Sequence, residues 1–135
     1  MLGDKFETER FGLVTVDNEI HFAKGLVGFP ELTNFTLLAH APDSAFYWLQ
    51  SLDDAAFAFV LIHQSNAVKS NKSINLLENL TGQVYYVVRV PLDPKKMTVN
   101  LRAPLIIDGG TGYQHVQDGV ELSTKEPLIY KGVSA

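Results

Sequence analysis

Short runs of β-branched and aromatic residues, separated by turn signals, limit most strongly how this chain can fold. Gln83 to Val90 has the composition of a strand. Ala56 to His63 is almost continuously apolar, as a strand buried on both faces would be. Phe46 to Ser51 is a third such run. Over the whole chain, about nine short strands at a spacing of roughly 8–12 residues favour a barrel or a sandwich.

Helical periodicity is weak throughout the sequence. The one candidate helix is Ile74 to Leu80, capped by Ser73, within the Asn- and Ser-rich segment from Gln64 to Leu80. We therefore predict an all-β fold, a small antiparallel β-barrel or closed sandwich with at most one or two short helices. The 135 residues suit a single domain, placed at residues 1–135. The residues expected in its core are Phe22, Phe29, Phe35, Trp48, Phe59, Val88, Val99 and Leu101.

Composition excludes several classes of function. The chain has no cysteine, which excludes disulfides, thiolate catalysis and cysteine-ligated zinc. No apolar run approaches the ~18 residues that span a bilayer, so we expect no membrane association. The formal net charge of −4 gives no overall basic footprint for nucleic acid. A direct nucleic-acid site would have to use Tyr85, Tyr86 and Arg89, and the net charge argues against one.

No group of residues in the sequence predicts catalysis, a metal site or a cofactor. None of the four histidines has a metal-ligand spacing, although His40 and His63 end predicted strands and could meet in space. Asp53 and Asp54 are adjacent acids. On a strand their side chains would point to opposite faces of the sheet, and in a turn such side chains usually face the solvent. General acid–base catalysis needs positioned partners, so we expect no enzyme activity.

The stretch from Asp93 to Ile107 is the best candidate for a binding surface. After the Asp93-Pro94 turn its residues alternate, so a strand from Met97 to Ala103 would present one apolar face and one polar face. Arg102 can hold a carboxylate with a fork of donors and is the expected anchor. The candidate contact residues of this stretch are Lys95, Lys96, Thr98, Asn100 and Arg102.

Two structural explanations of the same residues remain open. The lysines could be edge residues that prevent aggregation. Asn100 could satisfy the backbone of a neighbouring loop, such as Lys24 to Pro30, and do nothing for partners. In that case the docking face would involve Asp53 and Asp54, or the loop of Gly25 and Gly28, whose apolar anchors are expected to be Leu26, Val27 and Phe29.

Four blocks of sequence together resemble the flagellar assembly factor FliW family. They are F-A-K-G-L-V-G-F-P-E-L from Phe22, W-L-Q-S-L-D-D from Trp48, V-P-L-D-P-K-K-M-T-V-N-L-R-A-P-L-I-I from Val90, and Q-H-V from Gln114. The blocks occur in the family's order, and the third is the most specific. The chain departs from the family pattern at Gln64 to Leu80 and in the tail beyond Asp118.

The resemblance implies a small, β-barrel-like, non-enzymatic protein of the bacterial cytoplasm. Members of the family bind the translational regulator CsrA and relieve its repression of flagellin messenger RNA. They also bind newly made flagellin, which competes for them. The alternative from another class is a β-barrel enzyme or small-ligand binder with its site in the barrel mouth. A deep pocket that holds His40 or His63 beside Asp53 would favour that alternative.

Overall fold

The chain forms short β-strands in the computed structural model, which describes residues 2–42, 44–66, 82–116 and 124–128. In these ranges the helical elements are two short 3-10 turns, Gln64–Asn66 and Pro94–Lys96. This confirms the predicted all-β class. The strands are β1 (Lys5–Thr8), β2 (Gly12–Thr15), β3 (Ile20–Phe22), β4 (Asn34–Ala39), β5 (Phe46–Ser51), β6 (Ala58–His63), β7 (Gln83–Arg89), β8 (Thr98–Val99), β9 (Leu105–Asp108), β10 (Thr111–Gln114) and β11 (Glu126–Pro127).

Seven of these strands close into a barrel. Their order is β7-β6-β5-β4-β3-β10-β9, and β9 pairs back onto β7. The predicted barrel is therefore confirmed, with one departure from a purely antiparallel sheet, because β10 runs parallel to β3. Strands β8 and β11 continue the sheet beyond β7, and β1 and β2 form a separate hairpin.

Inward-facing side chains of alternate positions fill the barrel. Phe22, Phe35, Leu49 and Leu61 are completely buried there. The rings of Phe22 and Phe35 meet edge to face with centroids 5.4 Å apart. Gly112 pairs with Phe22 across the parallel strands, and a Cβ at Gly112 would lie 2.6 Å from the end of that ring. The Phe22 ring therefore occupies the space that a side chain at position 112 would need.

A second apolar cluster lies on the outer face of β6 and β7. Ile62, Tyr86 and Val88 pack there with Val99 and Leu101. Strand β6 is therefore buried on both faces, with Leu61 inside the barrel and Ile62 outside it. This explains why its sequence is almost continuously apolar rather than alternating.

The predicted strand from Met97 to Ala103 is wrong beyond Val99. Strand β8 ends there, and the Asn100 Oδ1 accepts hydrogen bonds from the backbone N–H groups of Arg102 (2.9 Å) and Ala103 (3.2 Å). Asparagine commonly forms such turns with its own backbone, which here replaces the strand ladder. The predicted alternation of burial survives the turn, because Leu101 and Ala103 are buried and Arg102 is exposed.

Seven of the eight predicted core residues lie in or against the core. Five of them are buried, and Phe29 and Phe59 are half-buried and pack against the barrel cluster. The Trp48 ring lies on the outer face of the barrel, where the Phe11 ring meets it with centroids 5.1 Å apart. The aromatic content predicted burial of Trp48 but could not show that this side of β5 faces outward.

Some expectations concern parts of the chain that the structure covers only in part. The candidate helix Ile74 to Leu80 lies outside the described residues. In the tail, β11 forms the last edge of the sheet. The Leu128 N–H donates to the Met97 carbonyl at 3.0 Å, a distance typical of a ladder bond. Within the described ranges, no helix has the length and apolar character needed to cross a membrane.

Replacing Phe35 by alanine should cost about 3–5 kcal/mol of unfolding free energy, because the ring is completely buried between aromatic neighbours. Urea denaturation followed by circular dichroism measures this loss. Leu92→Ala is the control, since the fully exposed Leu92 should change stability by less than about 0.5 kcal/mol. A loss at Phe35 as small as that at Leu92 would contradict the assignment of the barrel core.

Candidate functional site

The loop from Gly25 to Gly28 is a tight reversal of the chain between β3 and β4. Leu26 and Phe29 exchange backbone hydrogen bonds of 3.2 and 2.7 Å across it. Gly25 has a φ of +65°, and a Cβ there would lie 2.5 Å from the Phe29 carbonyl oxygen. Gly28 has a φ of +88°. Both glycines therefore allow the loop to form, and the loop holds Val27 at its tip.

Val27 is not an anchor of this loop, contrary to the prediction. Its side chain is 67% exposed, whereas Leu26 is buried and Phe29 is half-buried. An exposed apolar side chain at the tip of the loop is available for contact with another molecule.

Gln114 ties the loop to the turn at Asn100. Its Oε1 accepts from the Val27 N–H (2.7 Å), and its Nε2 donates to the Ala103 carbonyl (3.0 Å). Gln114, and not Asn100, therefore provides the side chain that hydrogen-bonds to the backbone of the Gly25–Gly28 loop. Asn100 instead holds its own turn, and its backbone N–H donates to the Val87 carbonyl at 3.0 Å.

A groove of about 360 Å³ lies between the loop and the turn, and we call it the loop groove. Phe29 and Phe59 contribute apolar surface to it, while the exposed Arg102 contributes a guanidinium group. Val116, which is 41% exposed, adds further apolar surface. Among the described residues that line the loop groove, none carries a carboxylate. Arg102 therefore makes the local charge positive, although the whole chain is acidic.

A second groove, of about 560 Å³, follows the other side of the same loop. Val27 lines both grooves, and here it is joined by Lys24 and by Tyr113, which is 46% exposed. The loop therefore stands between two open grooves that combine exposed apolar side chains with a cation.

The predicted contact residues do not form one group. Arg102 and Asn100 line the loop groove beside the Gly25–Gly28 loop. Lys95 and Lys96 are exposed on the 3-10 turn after Asp93, whose carboxylate accepts from the Lys95 N–H at 3.0 Å. The lysines are not part of the loop groove as the described residues form it.

Thr98 is less accessible than the alternating pattern predicts. It is half-buried in β8, between β7 and β11. Its hydroxyl is buried and has no hydrogen-bond partner among the residues that the structure describes. The polar face predicted for the stretch is therefore reduced there to Asn100 and Arg102.

Asp53 and Asp54 organise turns of the backbone. The Asp53 carboxylate accepts from the N–H groups of Thr33 and Asn34, both at 2.8 Å, and from the Asn34 side chain at 3.2 Å. Partial burial acts to raise the pKa of Asp53, but these hydrogen bonds together outweigh it and lower the pKa. The Asp54 carboxylate accepts from the Ala56 N–H at 3.0 Å.

The histidines occupy separate surroundings. His63 Nε2 lies 2.7 Å from the Gln83 side-chain oxygen, and His40 accepts from the Trp48 indole N–H at 3.3 Å. Within the described ranges, the hydrogen-bond partners of the Asp53 carboxylate are Thr33 and Asn34, and the groove that His40 lines contains neither Asp53 nor His63. These residues therefore do not form the pocket that would favour a small-ligand site. In the described part of the chain, no group of three or more His, Asp or Glu side chains could hold a metal ion.

Sequence reasoning missed the residues that give the loop groove its shape. The position of Gln114 in the Q-H-V block was a usable signal, because a polar residue next to a strand end can reach a neighbouring loop. The exposure of Val27 had no signal in the sequence. An apolar residue in a glycine loop predicts burial unless the direction of the turn is known.

Comparisons with known proteins agree on one family. A family model described as FliW protein matches residues 5–128. The chain is 31% identical to the flagellar assembly factor FliW of Thermoanaerobacter pseudethanolicus, over 93% of each protein. It is 37% identical to that of Alkaliphilus metalliredigens, over 91% of this chain and 85% of the relative. A crystal structure of the flagellar assembly factor FliW matches with a TM-score of 0.72 and 25% identity, over 96% of this chain and 100% of the other.

Removal of the Gln114 side chain should release the Val27 amide. In Gln114→Ala the Val27 N–H loses its acceptor, so its hydrogen exchange, measured by NMR, should speed up. The Phe29 amide is the internal control, because its bond to the Leu26 carbonyl does not involve Gln114. Equal acceleration at both amides would mean that the whole loop had opened instead.

The Asp53 carboxylate should make stability depend on acidic pH. Because its pKa is lowered in the folded state, the stability that its ionised form provides is complete above the ordinary aspartate pKa and is lost as the pH falls through the lowered value. Asp53→Asn should therefore be less stable at neutral pH and should lose stability less steeply in acid. Thermal melts between about pH 7 and pH 2 measure both effects.

Asp54→Asn is the matched variant for this experiment. It removes a neighbouring negative charge while the amide oxygen can still accept from the Ala56 N–H, and so separates a change in net charge from the loss of the Asp53 carboxylate contacts. If Asp53→Asn keeps the acid dependence of the unmodified protein, the carboxylate does not stabilise the turn before β4.

Proposed function

The chain belongs to the FliW family, and from this we propose that it is a flagellar assembly factor that works by binding other proteins. Its partners would be the translational regulator CsrA and flagellin. Binding to CsrA would relieve the repression of flagellin messenger RNA translation, and flagellin would compete for the factor. Relatives that match most of the chain are named flagellar assembly factors, which supports the proposal.

The loop groove is the observation on which a binding function most depends. Val27 and Val116 expose apolar surface on either side of it, and exposed apolar patches with polar rims are typical of protein contact sites. Arg102 adds a guanidinium group, and arginine is enriched at protein interfaces. The groove is also built from three of the sequence blocks that carry the family resemblance, those of Gly25, Asn100 and Gln114.

We propose different roles for the candidate contact residues. Arg102 would hold a partner carboxylate with its paired donors. Gly25, Gly28 and Asn100 would fix the shape of the groove through their backbone geometry. Lys95 and Lys96 would contribute to encounter as exposed cations outside the groove.

The remaining candidates are less accessible or already engaged. Thr98 is half-buried in β8, and Asp53 and Asp54 hold turns of the backbone. A contact through the two aspartates would use the carboxylate surface that their turn hydrogen bonds leave open. We also propose that the protein acts in the cytoplasm, where both partners would be encountered, and that it catalyses no reaction.

Arg102→Ala should weaken partner binding by roughly 2 kcal/mol, about thirtyfold, while the melting temperature stays nearly unchanged. Within the described residues the exposed guanidinium group makes no hydrogen bond or ion pair, since only the Arg102 backbone N–H is hydrogen-bonded there. Isothermal titration of CsrA and of flagellin, both from the same organism, measures the affinities. Lys96→Ala should give a smaller loss of the same kind.

Lys5→Ala is the control for the loss of one positive charge. Lys5 lies on the separate β1–β2 hairpin, where its ammonium group donates to the Thr15 hydroxyl at 2.6 Å. Absence of binding to both partners would refute the proposed function. If Arg102→Ala lowers the melting temperature and leaves the affinities intact, Arg102 is structural and the contact must be sought at the lysines or at Asp53 and Asp54.

A further inference from the structure

A third open groove, of about 570 Å³, lies on the outer face of β5, β6 and β7, and we call it the Trp48 groove. Its surface is mainly apolar, and outward-facing side chains of the three strands form most of it. Phe59 and Val87, which also line the loop groove, complete the lining. None of the candidate contact residues discussed above lines it. The apolar side chains that form its floor are Phe46, Trp48, Ala58, Val60, Val88 and Met97.

Two nitrogen-bearing side chains meet the indole ring at one end of the Trp48 groove. The Arg10 guanidinium carbon lies 4.8 Å from the centre of the Trp48 ring. The Trp48 N–H donates to His40 Nδ1 at 3.3 Å, so in the neutral imidazole the proton is on Nε2, which remains a donor. Within the described part of the chain, no carboxylate pairs with Arg10.

The apolar surface continues beyond the groove along the end of β7. Val90, which is 52% exposed, lines the groove, and Leu92 two residues later is fully exposed. A small molecule of drug size is usually enclosed over most of its surface. An open groove that continues into an exposed apolar strip is better suited to a segment of another protein.

We propose that the Trp48 groove docks a segment of a partner protein that carries one or two carboxylates among large apolar residues. The apolar side chains would cover Val60, Val88 and Val90. A carboxylate would accept from the Arg10 fork and from His40 Nε2, at a position where the stacked indole ring keeps the guanidinium group in place.

The charge of the whole chain restricts this partner further. At a net charge of −4, the body of the protein repels strongly acidic chains and nucleic acid. The attraction at Arg10 and His40 is local, so it favours isolated carboxylates within an apolar segment over a run of acids. This contact would be additional to the one proposed at the loop groove. The two grooves share Phe59 and Val87 in their linings but use different cations, Arg10 and Arg102.

The chain contains a single tryptophan, so its signals report on this groove alone. The experiment titrates the full chain with a short N-acetylated peptide that alternates leucine and glutamate, and follows Trp48 fluorescence and the indole N–H resonance. One control peptide replaces each glutamate by lysine, and another replaces each leucine by serine. The expected result is a saturable shift with the leucine–glutamate peptide and little or none with either control.

Variants of the chain locate the contact. Arg10→Gln should weaken the leucine–glutamate peptide by about tenfold or more, as loss of a charge-assisted hydrogen bond does. Lys24→Gln, which removes one charge from the groove beside the Gly25–Gly28 loop, should leave this affinity unchanged. Val90→Asp should abolish binding, because it places a carboxylate on the exposed apolar part of the groove.

Three outcomes would overturn the proposal. One is the absence of a saturable shift with the leucine–glutamate peptide. Another is an equal response to the lysine peptide, which would mean that the groove takes any apolar chain. The third is a Trp48 signal that depends on protein concentration without peptide, together with a dimer in sedimentation that Val90→Asp disrupts, which would make a second copy of this chain the occupant.

Discussion

The barrel depends on β7 hydrogen-bonding two successive segments of the chain along the same edge. Val88 and Arg89 pair with β8, and Gln83 to Tyr85 pair with β9, which closes the barrel. The chain between β8 and β9 must therefore leave the ladder for a few residues and return. Asn100 makes this step by accepting two backbone hydrogen bonds in a turn. Pro104 ends it, since it has no N–H to donate, while its carbonyl accepts from the His115 N–H at 2.9 Å.

The loop groove follows from this step in the ladder. Between β8 and β9 the backbone leaves the ladder, and Arg102 is exposed there beside the Gly25–Gly28 loop while Leu101 and Ala103 stay buried. Gln114 belongs to β10, the strand that joins β9 to β3, and its side chain spans from the loop to this turn. Barrel closure and the proposed contact surface therefore share their backbone, while Arg102 contributes a side chain that closure does not use.

The sequence predicts the strands better than it predicts the surface. Residue composition and turn signals place β5 at the bounds that the structure shows and β7 to within one residue, because both depend on local patterns. Beyond Val99 the alternation predicts a strand that does not form, because the asparagine turn has the same alternating burial without the strand hydrogen bonds. The parallel pairing of β10 with β3 joins segments far apart in the chain, and no local pattern encodes it. The exposure of Val27 and the outward position of the half-buried Trp48 were missed, because residue type indicates that a side chain is apolar, not which side of the barrel it faces.

Three aspartates of this chain act differently from two of its arginines. Asp53, Asp54 and Asp93 direct their carboxylates to backbone N–H groups of turns. Arg10 directs its guanidinium group to the Trp48 groove, and Arg102 directs its own to the loop groove. Salt screens exposed charges over about 10 Å, so a partner in contact with a groove experiences the local cation more than the net charge. For a protein proposed to antagonise an RNA-binding regulator, this arrangement combines repulsion of RNA by the acidic body with attraction of carboxylates at the surfaces where a protein would dock.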